Sequence, residues 1–173
     1  MFLKELLEFV TNEVFLVPAC AWIIAQICKA TLNFIITKSF SPSRLFGDGG
    51  MPSGHSATVM ALVVMCGVTS GFGSTSFGIS IVLAAIVMHD ALGVRRETGK
   101  QGETIIKLAK KHNETVENEH HKINTVSLKT LVGHTPIQVV AGATIGVLVA
   151  VFYIFVLRDY FAGVGLAIQG LAG

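Results

Sequence analysis

Residues Ile137–Leu157 carry the sequence IQVVAGATIGVLVAVFYIFVL, which contains no charged side chain. A run of about 20 apolar residues is long enough to cross the hydrocarbon core of a bilayer as a helix. Three further runs share this apolar character, and they are Val14–Ile36, Ser56–Phe72 and Phe77–Leu92. The pattern predicts an all-α integral membrane helical bundle with about four transmembrane helices.

The composition of the whole chain also favours a membrane protein. Of its 173 residues, 51% are hydrophobic and 14% are charged, whereas soluble domains carry about a quarter charged residues. The second and third apolar runs are short and rich in Gly, Ser and Thr, so a soluble hairpin of buried helices is the alternative. The length fits one domain over residues 1–173. The basic residues lack interleaved aromatic residues, so we expect no nucleic-acid partner.

Two long polar connections, Thr37–His55 and Gly93–Thr135, separate the apolar runs, and four spans would put both on one membrane face. Ten of the thirteen Lys and Arg residues lie in these connections. They are Lys38, Arg44, Arg95, Arg96, Lys100, Lys107, Lys110, Lys111, Lys122 and Lys129. By the positive-inside rule, this distribution predicts a multi-pass cell-membrane protein with both connections in the cytoplasm.

The larger connection is a polar insert, residues 93–135, that contains a segment with amphipathic helical spacing. The positions on its less polar face are Ile105, Leu108, Ala109, His112 and Val116, and those opposite are Lys107, Lys110 and Lys111. Two interpretations fit this pattern. The helix lies against anionic membrane lipids, or it is a solvated charged helix.

Residues Met51–Ala57, with the sequence MPSGHSA, stand where the second apolar run begins. Backbone N–H groups and a hydroxyl at a helix N-terminus form a ready anion site, and His55 can transfer a proton near neutral pH. These features suit a phosphate. A capped turn, with Ser53 or Ser56 as the N-cap, explains the same residues without any ligand.

A second histidine precedes the last apolar run, in the sequence His134-Thr135-Pro136. Thr135 is a plausible N-cap, and Pro136 suits the first helical position. His55 and His134 thus begin two helices on one face and can converge on one anion, with one attacking and the other protonating a leaving oxygen. The alternative is that both merely cap helices or lie at the membrane interface.

Three other ionisable residues bear on ligand binding. Lys29 lies within the first apolar run, where an ammonium is costly unless it faces a polar site or reaches the interface, so we expect it to bind the phosphate. His89 and Asp90 are adjacent and diverge by about 100° on a helix, so they cannot easily share one ion. We therefore predict no metal and no cofactor.

The motifs taken together resemble those of a known family. PSGH at residues 52–55 and HTPIQVVAG at 134–142 look like the second and third signature motifs of the type 2 phosphatidic acid phosphatase (PAP2) superfamily. DALGVRR at 90–96 and GKQ at 99–101 resemble its divergent branch, the divergent PAP2 or YuiD-like family. The similarity begins at AQICK, residues 25–29, in the first run.

This resemblance implies a membrane-embedded phosphatase that acts on a lipid phosphate or diphosphate without a metal. His134 matches the superfamily's nucleophile, which forms a phosphohistidine, and His55 matches the acid that protonates the leaving alcohol. Ser53 and the Gly54 amide match groups that hold phosphate oxygens.

The chain departs from the superfamily pattern at three places. Gln138 stands where an Asp normally fixes the ring of the nucleophile, and an amide stabilises an imidazolium less well than a carboxylate does. Leu128 replaces an arginine, and the Lys and Arg of the first motif are not intact. Arg95 and Arg96 are the natural substitutes, with Asp90 orienting one of them, although these three also fit a structural ion pair.

Two functions of other classes fit the same sequence. One is a non-catalytic protein of the same fold that binds or transports phospholipid or polyprenyl phosphate, which Gln138 and Leu128 favour. The other is a purely structural four-helix membrane protein. In either case membrane lipids are partners, and the sequence leaves open which lipid phosphate is bound and whether the chain forms a homo-oligomer.

Overall fold

The structure, a computed structural model, describes residues 11–38, 50–116 and 134–160, together with Glu5, Glu8, Phe9 and Ile123. Arg44, Lys122, Leu128 and Lys129 lie outside the described residues. Every regular element within these ranges is a helix. In chain order the helices are α1 (Glu13–Thr37), α2 (Gly54–Ser70), α3 (Thr75–Leu92), α4 (Val94–Thr115) and α5 (Pro136–Phe152). Helix α5 continues as a π-helical turn over Tyr153–Leu157.

The predicted all-α membrane bundle is confirmed. Within the described residues, three segments are long and apolar enough, by length and composition, to cross a membrane. They are Glu13–Thr37, Thr75–Thr115, which includes both α3 and α4, and Pro136–Tyr160. Helix α2 is apolar but has only 17 residues, which corresponds to about 25 Å at 1.5 Å per residue. Large apolar side chains are exposed along α1 and α3, among them Ile23, Ile27, Ile79, Val82 and Ile86. An exterior of this kind suits lipid, which argues against the soluble hairpin.

Short polar side chains cap the N-termini of α1, α2 and α3. The side chain of Asn12 accepts from Val14 N, that of Ser53 from Ser56 N, and that of Ser74 from Phe77 N. Such caps satisfy N–H groups that have no partner within the helix. Helix α5 begins at Pro136 after Thr135, as predicted, and each of the four apolar helices begins within two residues of the start of the predicted run.

Helix α2 is the central element of the bundle, and it packs against α1, α3 and α5. The core consists mainly of small residues, and its members are Val17, Ala21, Ala25, Ala57, Ala61, Met65 and Ala150. Small side chains let membrane helices approach closely, so that van der Waals contact between backbones holds them together.

The closest approach lies between α2 and α5. A Cβ added to Gly142 would overlap the carbonyl oxygen of Ser53, and one added to Gly146 would overlap that of Ala57. Only glycine fits at these two positions, which are four residues apart on one face of α5. The contact holds the two helix N-termini together, and the Ser53 N–H donates to the carbonyl of Gln138 at 3.0 Å.

The predicted helix within the insert is present as α4. It begins directly after Gly93, whose φ of −97° and ψ of −95° lie outside the helical region and separate α4 from α3. The predicted apolar face divides in the structure, because Ala109 is buried while Ile105 and Leu108 are exposed. The helix therefore packs on one flank only.

Candidate functional site

The N-terminus of α2 is buried within the bundle. Ser53 is completely buried, and its Oγ accepts from the N–H of Ser56 at 3.3 Å and from the Ser56 hydroxyl at 3.0 Å. Ser53 is thus the N-cap that one interpretation of the sequence predicts, while its contact with a phosphate stays a prediction. Gly54 is also buried, and a Cβ there would lie 3.1 Å from Cδ1 of Trp22.

The N-terminus of α5 fixes the ring of His134. The side-chain oxygen of Gln138 accepts from the backbone N–H of Thr135 at 3.0 Å and lies 3.2 Å from Nδ1 of His134. A backbone N–H can bond only the oxygen of the amide, so this contact sets the orientation of the Gln138 side chain. Nδ1 of His134 must then carry the proton, which leaves the lone pair of the neutral ring on Nε2.

His134 is buried, with 4% of its surface exposed. Its backbone N–H donates to the carbonyl of Ala91 at 3.0 Å, which ties the start of α5 to the end of α3. Burial is the main cause that lowers the pKa of His134 below its usual 6.5, and the charges of Lys29 and His55 lower it further. Hydrogen bonds to Gln138 and to the Gly50 backbone oppose this shift in pKa. The neutral ring is therefore favoured at neutral pH.

Lys29 reaches this site from α1. It is buried, with 7% of its surface exposed, although it lies on a helix whose outer face is apolar. The stem of Lys29 runs past Gly50, where a Cβ would lie 3.5 Å from the Lys29 Cδ. Its charge acts on His134, whose pKa it lowers, and Gly50 beside its stem hydrogen-bonds the His134 ring through its backbone. The structure thus brings the predicted phosphate ligand to the predicted nucleophile.

His55 lies in the first turn of α2 and is exposed. Its helix starts beside the start of α5, because the Ser53 N–H donates to the carbonyl of Gln138, so the two histidines lie at the same end of the bundle. The two rings suit different roles. The buried ring of His134 suits a base or nucleophile, and the exposed ring of His55 suits an acid because water can reach it.

Asp90 and Arg95 form an ion pair at the junction of α3 and α4. Arg95 Nε lies 2.6 Å from Asp90 Oδ2, with 43% and 39% of the two side chains exposed. Asp90 is adjacent in sequence to Ala91, whose carbonyl accepts from the backbone N–H of His134. Arg96 is exposed. The ion pair that the sequence suggests is present, and a phosphate contact by either arginine stays a prediction.

The structure adds three residues that the sequence analysis did not assign to the site. Gly50, at φ +103°, packs on Lys29, and Trp22 and Gln26 flank Gly54. The side-chain oxygen of Gln26 is buried and has no hydrogen bond within the described residues. Their spacing from Lys29 is the sequence signal that could have identified Trp22 and Gln26, because residues 22, 26 and 29 fall on one face of a helix. A polar amide within a membrane span is itself a functional indication.

The described residues contain no group of three or more His, Cys, Asp or Glu side chains that could hold a metal ion. The donors present near His134 are instead cationic or N–H groups, contributed by Lys29, His55 and the start of α2. This set of groups favours an anionic ligand.

Comparisons with known proteins identify the family of this chain. The model of the divergent PAP2 family matches residues 10–149. The chain is 38% identical over 152 residues to a protein of Bacillus subtilis (strain 168) named "Uncharacterized membrane protein YuiD", covering 82% of this chain and 94% of that protein. No solved structure matches the chain. With its four apolar helices and its two histidines at helix N-termini, the chain belongs to the divergent PAP2 family.

Proposed function

We propose that this protein is a membrane-embedded phosphatase that hydrolyses a lipid phosphate or diphosphate, with His134 as nucleophile and His55 as general acid. The observation that carries the proposal is the contact between His134 Nδ1 and the Gln138 oxygen at 3.2 Å. With Nδ1 as the donor, the neutral form of this buried ring carries its lone pair on Nε2, while the bond to the Gly50 backbone favours the protonated form. Membership of a phosphatase-related family supports the same reaction.

In the first step, Nε2 of His134 attacks phosphorus, and the bond from phosphorus to the lipid oxygen breaks. Protonated His55 gives its proton to the leaving oxygen, so a lipid phosphate departs as an alcohol and a lipid diphosphate departs as a lipid monophosphate. The product on the protein is a phosphohistidine whose Nδ1–H continues to donate to Gln138.

In the second step, water hydrolyses the phosphohistidine. Neutral His55 takes a proton from the water as the oxygen attacks phosphorus and the bond to Nε2 breaks. Inorganic phosphate leaves, and both histidines return to their starting protonation states.

The charge of the phosphate requires compensation in both steps. Lys29 supplies a buried ammonium, and the N-terminus of α2 at Gly54 supplies aligned backbone N–H groups. Such preorganised donors act strongly where water is scarce. Arg95, oriented by Asp90, and Arg96 extend the basic surface outward along α4.

The proposed activity is tested by measuring phosphate release from a panel of lipid phosphates and diphosphates in detergent micelles that contain chelator. We expect turnover of at least one substrate, and chelator should leave it unchanged. Release that depends on an added divalent cation would contradict the metal-free mechanism.

The neutral partner of His134 favours a second function, which is binding or transport of a phosphorylated lipid without hydrolysis. Gln138 holds the ring but does not offset the positive charge that attack on phosphorus creates on it. A protein that only binds anions has no need of that compensation. Binding of a phospholipid or polyprenyl phosphate with no phosphate release would favour this function.

Changing Gln138→Glu distinguishes these functions. Glu still accepts from the Thr135 N–H as the third residue of a capping box, and it adds a negative charge beside Nδ1. We expect phosphatase activity to be retained or raised. The carboxylate also raises the pKa of His134, so the fall of activity on the acid side should move to higher pH, because only the neutral ring attacks.

The matched control for this change is Thr104→Glu, which adds the same charge on the exposed, charged flank of α4. Its pH profile should follow that of the unmodified protein. Loss of activity in Gln138→Glu, or retained activity with the pH profile of the unmodified protein, would contradict the role given to Nδ1.

We also propose that the site faces the cytoplasm, because Lys and Arg residues crowd the connections that adjoin it. A cysteine at position 110 on a cysteine-free background should then be protected from impermeant thiol reagents in intact cells. The same cysteine should react fully once the membrane is permeabilised. Ready labelling in intact cells would reverse the orientation and place the site outside.

A further inference from the structure

Helix α4 has three distinct flanks along its length. One flank, with Gly99, Gly102 and Ala109, is buried. A second flank carries exposed apolar side chains, with 66% of Val94, 47% of Ile105 and 63% of Leu108 exposed. These three positions lie within about 60° of one another around a helix of 3.6 residues per turn. They form what we call the apolar stripe of α4, and the exposed polar side chains of Gln101 and His112 lie in the same sector.

The third flank is charged and solvent-exposed. Its basic members are Arg96, Lys100, Lys107, Lys110 and Lys111, and its acidic members are Glu97, Glu103 and Glu114. Lys100 and Glu97 pair at 2.6 Å, which leaves the remaining surface predominantly basic. The helix therefore presents protein contact, apolar surface and positive charge in three separate sectors.

The position of the apolar stripe in the chain indicates what covers it. The stripe begins at Val94, immediately after α3, whose exposed apolar residues include Val82 and Ile86. An exposed apolar surface on a candidate membrane span therefore directly precedes the stripe in the chain. The non-helical backbone of Gly93 lets α4 leave the direction of α3, so α4 need not project straight into water.

We propose that α4 lies in the membrane interface, with its apolar stripe inserted at the boundary of the acyl chains and its basic flank against anionic lipid headgroups. Helices of this kind combine an inserted apolar face with Lys and Arg at the level of the headgroups. Basic residues near the bilayer surface gain from the negative potential of anionic lipids. The inference does not depend on the proposed phosphatase activity.

The inference is tested with a cysteine-free variant that carries a fluorescent label at Leu108→Cys or, as the matched control, at Lys110→Cys. The two positions lie on opposite sides of α4, separated by about 160°. Each labelled protein is reconstituted in vesicles of phosphatidylcholine with or without phosphatidylglycerol. Quenching is measured with nitroxides on the acyl chains and with iodide in the aqueous phase.

We expect the label at position 108 to be quenched several-fold more by acyl-chain nitroxides than the label at position 110, with the reverse order for iodide. Phosphatidylglycerol should increase the lipid quenching at 108, and changing Lys107, Lys110 and Lys111 together to Gln should abolish that increase. Equal iodide quenching at both positions would overturn the proposal in favour of a solvated helix. Self-quenching at 108 that rises with protein density would instead identify a second copy of the chain as the occupant.

Discussion

Changing His134→Ala should reduce phosphate release to background, a fall on the order of 10⁴-fold or more if His134 is the nucleophile. The change removes the atom that we propose attacks phosphorus. Binding of a lipid phosphate should decline far less, because Lys29 and the α2 N-terminus at Gly54 supply anion contacts of their own. Activity and equilibrium binding are measured on the same purified preparations.

His89→Ala is the matched control, since His89 is exposed at the end of α3 and has no role in the proposed reaction. It should keep the activity of the unmodified protein. A phosphorus label trapped on the protein after acid-free quenching should be present in this control and absent from His134→Ala. If the unmodified protein binds lipid phosphate without hydrolysis and His134→Ala weakens only that binding, the binding or transport function replaces the phosphatase.

The second large effect is expected at the contact between α2 and α5. Ala has a higher helix propensity than Gly by about 1 kcal/mol, so propensity alone predicts that Gly-to-Ala changes stabilise a helix. At Gly142 and Gly146 the new methyl group meets main-chain carbonyl oxygens that cannot rotate away. We expect the double change to lower the thermal midpoint by roughly 5–10 °C.

The same double change should also reduce activity at temperatures where the protein stays folded. Moving α5 away from α2 breaks the bond from the Ser53 N–H to the Gln138 carbonyl, which holds the two helix N-termini together. Gly78→Ala is the matched control, because a Cβ at that position on α3 meets open space. A thermal midpoint in the double variant equal to that of the control would show that the close approach is not required.

The sequence indicates the ends of the helices well because local chemistry sets them. Ser53 and Thr135 stand before α2 and α5 as caps, and the structure begins both helices there. The contact between Gln138 and His134 was also open to sequence reasoning, since residues four apart on a helix are neighbours. These features depend on a few consecutive residues and need no knowledge of the rest of the fold.

Packing of the helices was much less accessible from sequence. A membrane helix is apolar on all sides, so its pattern does not distinguish the face that packs on protein from the face that meets lipid. The division of α4 into a buried flank at Ala109 and an exposed stripe at Leu108 is one consequence. The passage of Lys29 beside Gly50 is another, because it joins residues from separate helices and connections.

By itself, therefore, the sequence determined the membrane class, the all-α architecture, the helix starts and the placement of His55 and His134 on one face. Composition, capping and the alternation of spans with polar connections are sufficient for each of these. Only the tertiary structure decided that Ser53 is a buried cap and that the Ala91 carbonyl holds His134. The first arises where Gly142, with no side chain, lets the backbones of α2 and α5 approach closely, and the second joins α3 to the start of α5, so both depend on the packing of whole helices.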